Sequence, residues 1–170
     1  MIIQLRAAED LAPDANDRPH LRAVESAEGL VELRPLVPEG RYKLRFRFHE
    51  TSLFCKRAPK LTLWFAICDP DDPAAPHAGT LLARWYNVRE LIGKQGKGGR
   101  FKAAAQGDLA VEYAQLFRPT GRLDRISLDP FRESIVIGEV GTVTANRDQR
   151  DLPESCQYSV IRRLHSVWTP

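Results

Sequence analysis

Cationic and apolar side chains alternate along the segment RYKLRFRFHE, residues 41–50. Successive side chains of a strand point to opposite faces, so the alternation predicts a strand with one apolar face and one cationic face. The predicted apolar set is Tyr42, Leu44, Phe46 and Phe48, and the cationic set is Arg41, Lys43, Arg45 and Arg47. A row of like charges favours a polyanionic ligand, and the alternative is a solvated face that keeps the protein in solution.

The charge of the chain is unevenly distributed. Residues 1–40 carry four cations and eight acids, whereas residues 41–170 carry twenty-one cations and fourteen acids. Within the basic part, two segments are concentrated: residues 41–60 have seven cations and one acid, and residues 84–102 have six cations and one acid. Two basic segments in a chain of net charge +3 indicate a surface for a nucleic-acid backbone.

Aromatic residues are interleaved with these cations. Proteins that bind single strands combine a cationic groove with aromatic faces on which bases stack. Trp64, Trp85 and Tyr86 lie on predicted strands next to the cationic one and are the candidate stacking residues, unless they close the core. The predicted nucleic-acid-binding residues are Arg41, Lys43, Arg45, Arg47, Lys56, Arg57, Trp64, Arg84, Trp85, Tyr86, Lys94, Lys97, Arg100 and Lys102.

Patterns that would indicate catalysis are weak. The glycine-rich segment GKQGKGGRFK has neither the Walker spacing nor the dinucleotide-binding spacing, so it is interpreted as a flexible basic loop. Histidines and cysteines do not follow a zinc-ligand spacing, and no nucleophile elbow is found. Asp69, Asp71 and Asp72 are typical of a proline-rich turn, although they leave open a Mg²⁺-dependent nuclease. We therefore expect no enzyme, no cofactor and no bound metal.

The order of predicted elements is three strands, one helix and two strands. The helix is predicted from Asp108, as N-cap, to Phe117, because Leu109, Tyr113, Leu116 and Phe117 share one helical face. The later strand ESIVIGEVGTV contains two glycines, which often mark a bulge or a barrel corner. This order favours a mainly β fold, an OB-like β-barrel with one helix between strands 3 and 4, and the alternative is an open α+β antiparallel sheet.

Two regions are predicted. Residues 1–37 form an acidic, loop-rich N-terminal extension, and residues 38–170 form one OB-like domain. The extension is either a variable appendage or a segment that folds back over the basic face and competes with its ligand. Three scattered cysteines, the lack of a long apolar run and an N-terminus unlike a secretion signal indicate a reduced cytoplasmic protein that does not contact a membrane.

The segments RYKLRFRFHETSLFCKRAPKLTLWFAICD, LLARWYNVRELIGKQGKGGRFK, DLAVEYAQLF and LPESCQYSVIRRL together resemble small accessory proteins of prophages and integrative elements. Their layout is also similar to that of phage single-stranded-DNA-binding proteins of the OB fold. The resemblance spans about residues 36–165 and implies a role in replication, recombination or transfer of a mobile element. One departure is the C-terminus RRLHSVWTP, which is basic and apolar where bacterial single-strand-binding proteins end in an acidic tail that recruits partners.

Together these patterns predict a non-catalytic protein that binds single-stranded nucleic acid, DNA in the first instance, without chemistry. A protein-interaction module, such as a regulator or inhibitor encoded by a mobile element, is the alternative, with a protein as the partner. The oligomeric state is left open by the sequence, as is the choice between DNA and RNA and between single and double strands.

Overall fold

The computed structural model describes residues 36–123, 125–146 and 148–170. The predicted N-terminal extension, 1–37, therefore lies outside the described residues except for its last two. Val37 is fully buried, and its backbone N–H donates to Ser159 Oγ at 2.7 Å while its carbonyl accepts from the same hydroxyl at 2.8 Å. Val37 thus packs with the folded domain, although the sequence places it in the extension.

Strands dominate the described part, which is mainly β, as the sequence predicts. The strands are β1 (Gly40–Phe54), β2 (Ala58–Ile67), β3 (Leu81–Asn87), β4 (Glu90–Ile92), β5 (Gly96–Lys97), β6 (Arg100–Lys102), β7 (Ile135–Val143) and β8 (Tyr158–Val167). The helices are α1 (Asp108–Phe117) and α2 (Asp129–Glu133), with a 3-10 turn at Glu154–Cys156.

β1 organises the antiparallel sheet. The order of the long strands is β3-β2-β1-β7-β8, and the two-residue strand β5 also pairs with β1. The first half of β1 lies between β7 and β2, and its second half lies between β5 and β2. β1, fifteen residues long, carries the predicted cationic row and pairs with the glycine-rich segment at Gly96 and Lys97.

A β-bulge interrupts β1 at Arg47. Phe46 is paired with Phe65, but Phe48 is paired with the very next residue of β2, Trp64, so β1 has one extra residue at this point. Side chains alternate with a period of two, and an extra residue therefore moves the following side chains to the opposite face. Phe48, predicted on the apolar face with Phe46, lies instead on the face of Trp64. His49 takes its place on the other side.

The core occupies the face of the sheet that the helices cover, which we call the helix side. Leu44, Phe65 and Leu82 are buried there, one from each of three neighbouring strands. Phe131 of α2 is fully buried, with its ring centroid 5.9 Å from that of Phe65. Leu109 and Tyr113 of α1 join the same cluster, which confirms the predicted apolar face of that helix.

The sheet curves until its two end strands, β3 and β8, contact each other. No hydrogen-bonded ladder joins these strands among the described residues, so the sheet does not close into a barrel through backbone pairing. Glu112 of α1 joins them instead. Its Oε2 accepts from the Tyr86 hydroxyl on β3 at 2.7 Å and from the Leu164 N–H on β8 at 3.3 Å, while Oε1 pairs with Arg84.

Three local predictions need correction. Gly107, in extended conformation, is the N-cap of α1, and Asp108 is the first helical residue. The short helix α2 was not predicted, because five residues are too few for a helical period to be visible. The glycine-rich segment contains the short strands β5 and β6, and β6 pairs with β4, just before the segment, in a separate two-stranded ribbon. Within the part of the chain that is described, no helix has the length and apolar character needed to cross a membrane.

Candidate nucleic-acid interface

Two aromatic rings are stacked on the face opposite the helices, which we call the outer face. The rings of Phe48 and Trp64 have centroids 5.8 Å apart and are inclined by 26°. The ammonium group of Lys97, on β5, lies over the Phe48 ring at 4.6 Å from its centroid. Because both rings are half-buried, each has one side packed on the sheet and part of its surface in solvent.

Neighbouring strands extend this aromatic surface. Trp85 on β3 is paired with Thr62, which is paired with Glu50 on β1, so the three side chains form a row next to Trp64. The Trp64 indole N–H donates to Glu50 Oε2 at 3.2 Å, which fixes the orientation of the ring. Trp85 is also half-buried and packs edge-on against Tyr158 of β8, with centroids 6.2 Å apart. Phe48, Trp64 and Trp85 form what we call the outer aromatic cluster.

The cations of β1 differ in whether their charge is compensated. Arg45 and Arg47 are exposed and form no ion pair with any described residue. Lys43 is held between two carboxylates, with its Nζ 2.7 Å from Asp71 and 2.9 Å from Asp69. The hydrogen bonds to Asp71 and Asp69 raise the pKa of Lys43, and the Lys43 bond lowers the pKa of Asp69. Arg41 is exposed and lies opposite Glu139 of β7.

The outer face continues along the β1–β2 hairpin to its tip. Lys60 lies with its ammonium group 5.6 Å from the centroid of the Phe54 ring, and Phe54 itself is 50% exposed. Lys56 and Arg57 are exposed in the turn. On the outer face of β1 and β2, aromatic and cationic side chains therefore extend from Arg45 to the hairpin tip, over about 30 Å at the usual rise per strand residue.

The structure separates two of the predicted residues from this face. Arg84 and Tyr86 project to the helix side, where α1 covers them. The guanidinium of Arg84 pairs with Glu112 and lies 4.6 Å from the Tyr86 ring centroid. Burial raises the pKa of Tyr86, and the negative charge of Glu112 raises it further. A ring that is 1% exposed offers no surface to a base, so Arg84 and Tyr86 hold the fold together instead.

The glycine-rich segment distributes its cations over two surfaces. Lys97 contacts the outer aromatic cluster, whereas Arg100 and Lys102 belong to the ribbon β4–β6. Lys102 forms an ion pair with Glu90 at 2.8 Å, and Lys94 is exposed at the turn after β4. Gly98 donates its N–H to the His49 carbonyl at 2.9 Å, and a Cβ at Gly99 would collide with Thr51. Gly99 therefore lets the segment lie directly against β1, and Gly98 adopts a positive φ of 72° that favours glycine.

Candidate chemical groups elsewhere are engaged in structural contacts. Asp69 and Asp71 bind Lys43, and Asp72 accepts the Ala74 N–H at 3.1 Å, as in an ordinary turn. No group of three or more metal-ligating side chains occurs among the described residues. None of the three cysteines forms a disulfide bond among the described residues.

Sequence reasoning missed three aromatic residues on the outer face. Phe48 was assigned to the core because the bulge at Arg47 leaves no sign in the alternating pattern. Phe54 lies in the segment before the hairpin turn, where the alternation fades. Trp168 stands after the last predicted strand, and its ring centroid lies 4.8 Å from Lys43 Nζ. The one sequence signal for Trp168 was its position shortly after a predicted strand.

Comparison of the chain with protein-family models, with curated proteins and with solved structures returned no match.

Proposed function

We propose that this protein binds single-stranded nucleic acid, DNA in the first instance, on its outer face and catalyses no reaction there. The observation that carries the proposal is the contact of Lys97 with Phe48 and of Phe48 with Trp64, beside the uncompensated Arg45 and Arg47. Bases would stack on the outer aromatic cluster, where each stacked base contributes about 1–3 kcal/mol. Phosphates would lie along Arg45, Arg47, Lys97 and the hairpin tip.

The strand order supports an OB-like fold for this purpose. An OB fold is a five-stranded, partly open Greek-key barrel that binds oligonucleotides on the face of its second and third strands and with the loop between its first two. Here the long strands are ordered β3-β2-β1-β7-β8, with α1 between β3 and β7 and with β3 against β8. Trp64 and Trp85 lie on the equivalent face, and Lys56 and Arg57 lie in the equivalent loop.

A titration of fluorescently labelled oligo-dT at two salt concentrations tests the proposal. Affinity should decrease by about 0.7 log units per log unit of salt for every phosphate neutralised. Oligo-U in the same assay distinguishes RNA from DNA. If wild-type protein binds neither oligonucleotide at low salt, the proposal is wrong.

Lys43 and Arg45 provide a matched pair of variants on one strand face. In Arg45→Ala, the slope of log affinity against log salt should decrease by about 0.7, because one uncompensated cation is lost. In Lys43→Ala, the change should be clearly smaller, because Asp69 and Asp71 already neutralise that ammonium group. Equal slopes for the two variants would contradict the charge distribution assigned to this face.

The second candidate is a protein-interaction module that uses the exposed end of the β1–β2 hairpin. It is favoured by Leu53 and Phe54, which are 39% and 50% exposed at the end of β1. The double variant Arg45→Glu with Arg47→Glu discriminates between the two, because charge reversal should abolish oligonucleotide binding under the first. If this variant binds oligonucleotides as wild type does, Arg45 and Arg47 do not belong to a nucleic-acid site.

A further inference from the structure

A second basic surface lies outside the outer face. A cleft of about 670 Å³ opens between the β4–β6 ribbon and the segment that leads into α2. The cations that line it are Arg100, Lys102, Arg125 and Arg132. Among the described residues that line the cleft, Asp129 is the one carboxylate, so cations outnumber acids there by four to one.

The cations of the cleft divide into engaged and available groups. Arg132 binds Asp129 at 2.6 Å, and Asp129 also accepts from the Ser127 hydroxyl at 2.6 Å, so each oxygen of this carboxylate has a partner among its own neighbours. The hydrogen bond from Ser127 and that from Arg132 lower the pKa of Asp129. Arg100 and Arg125 form no ion pair with any described residue. Two guanidinium groups therefore face the cleft without a counter-charge from the part of the chain that the structure describes.

The floor of the cleft is fixed by β1. His49, which the bulge turns away from the outer face, lies there with its Nε2 3.0 Å from the Gly99 carbonyl and its ring 6.2 Å from that of Phe101. The His49 carbonyl in turn accepts the Gly98 N–H. Arg100 is consequently attached to a segment that is bound to the sheet and does not have to be ordered by a ligand.

The cleft and the outer face share one short segment. Lys97 extends to Phe48 on the outer face, and three residues later Arg100 lines the cleft. Between them, Gly98 and Gly99 carry no side chain, and a Cβ at Gly98 would meet no atom within 4 Å. An extended anionic chain that follows the outer face can therefore cross the bare glycine backbone and enter the cleft.

We infer that this cleft binds phosphate groups of the nucleic-acid strand as it leaves the outer aromatic cluster, with Arg100 and Arg125 as the principal contacts. The guanidinium group suits this ligand because its planar N–H groups match phosphate oxygens in pairs. The inference deepens the proposed function and rests on it. It predicts that the binding site is longer than the aromatic cluster and has a second part that recognises only the backbone.

The experiment compares oligo-dT of about four and about twelve nucleotides, lengths that bracket the usual site sizes of such folds. In the double variant Arg100→Ala with Arg125→Ala, binding of the longer oligonucleotide should weaken about tenfold. Its salt slope should decrease by about 1.4, because two phosphate contacts are lost. Binding of the shorter oligonucleotide should remain within about twofold of wild type, because it is held by the aromatic cluster.

Arg163→Ala is the matched control. Arg163 is exposed on β8, donates to Gln115 of α1 and does not line the cleft. Its removal should leave both affinities unchanged. The inference is overturned if the double variant leaves the longer oligonucleotide unaffected, or weakens both lengths equally.

Binding of inorganic pyrophosphate shows whether the cleft takes a nucleic-acid strand or a free phosphorylated molecule. It also separates failure of the cleft assignment from failure of the proposed function. If wild-type protein binds neither oligonucleotide but binds pyrophosphate, and the double variant does not, the proposed function is wrong and the cleft is a site for a free phosphorylated molecule. If pyrophosphate does not bind either, the assignment of phosphate to the cleft is overturned as well.

Discussion

Each face of the sheet combines a cation, aromatic rings and a glutamate, but the two groups differ in their burial. On the helix side, an arginine, a tyrosine and a glutamate form a buried network of Arg84, Tyr86 and Glu112. On the outer face, a lysine, two aromatic rings and a glutamate form the half-buried group of Lys97, Phe48, Trp64 and Glu50. The partners and the burial of a cation–aromatic pair, rather than its composition, therefore decide whether the pair is enclosed in the fold or keeps part of its surface in solvent.

The largest expected effect is on the helix side. Glu112→Ala leaves the Arg84 charge buried without a partner and removes the acceptor for Tyr86 and for the Leu164 N–H. Loss of one member of a buried ion pair typically costs about 3–5 kcal/mol. We expect a decrease of that size in the free energy of unfolding, measured by urea denaturation.

Glu90→Ala is the control for this variant. Glu90 pairs with Lys102 on the exposed ribbon, so its loss should change the free energy of unfolding far less. If the two glutamate variants were equally stable, the network of Glu112 would not be what joins the two ends of the sheet.

The next effect concerns the aromatic rings. Trp64→Leu keeps an apolar side chain at the centre of the outer face but removes its stacking surface, so oligo-dT should bind about 5–100-fold more weakly. Tyr86→Phe removes only the hydroxyl bonded to Glu112. It should lower the free energy of unfolding by about 1–2 kcal/mol and leave oligo-dT binding unchanged.

Fluorescence titration and thermal unfolding of both proteins provide the two measurements. The opposite pattern, in which Tyr86→Phe impairs binding and Trp64→Leu does not, would reverse the roles assigned to the two faces.

The smallest effect is a dependence of stability on pH. The hydrogen bond from Lys43 lowers the pKa of Asp69 below its ordinary value of 3.8. A carboxyl whose pKa is depressed in the folded state contributes its full stabilisation above the unfolded value and loses it as pH falls through the folded value. Stability should therefore decrease below about pH 4, and Asp69→Asn should flatten this decrease when Tm is followed from pH 6 to pH 3. An unchanged pH profile in the variant would show that Asp69 contributes nothing to it.

The sequence predicts the long strands and α1 well, because their patterns extend over many residues. The alternation along β1 before Arg47 and the apolar run of β2 both correspond to observed strands. The mainly β, antiparallel class follows from these elements. The short strands β4, β5 and β6 could not be predicted, because two or three residues have no period, and they form by pairing with distant residues such as Glu50 and Thr51.

The candidate site is predicted only in part, for two physical reasons. Alternation tells which side chains share a face but not which face the helix will cover, so Trp85 and Tyr86 received the same assignment although one lies on each side. The pattern also carries no information about partners brought from elsewhere in the chain. Lys43 and Arg45 look identical in the sequence, yet only Lys43 meets two aspartates that are more than twenty residues away.

The extra residue at Arg47 makes the length of β1, and not only its composition, a determinant of the site. Deleting this one residue would shift the phase of everything from Phe48 to the hairpin tip by half a period. Phe48 and Glu50 would then point beneath the helices, and His49 and Thr51 would face the solvent. The deletion would thus place the imidazole of His49 beside Lys97 in place of the Phe48 ring, with every other amino acid of the chain left intact.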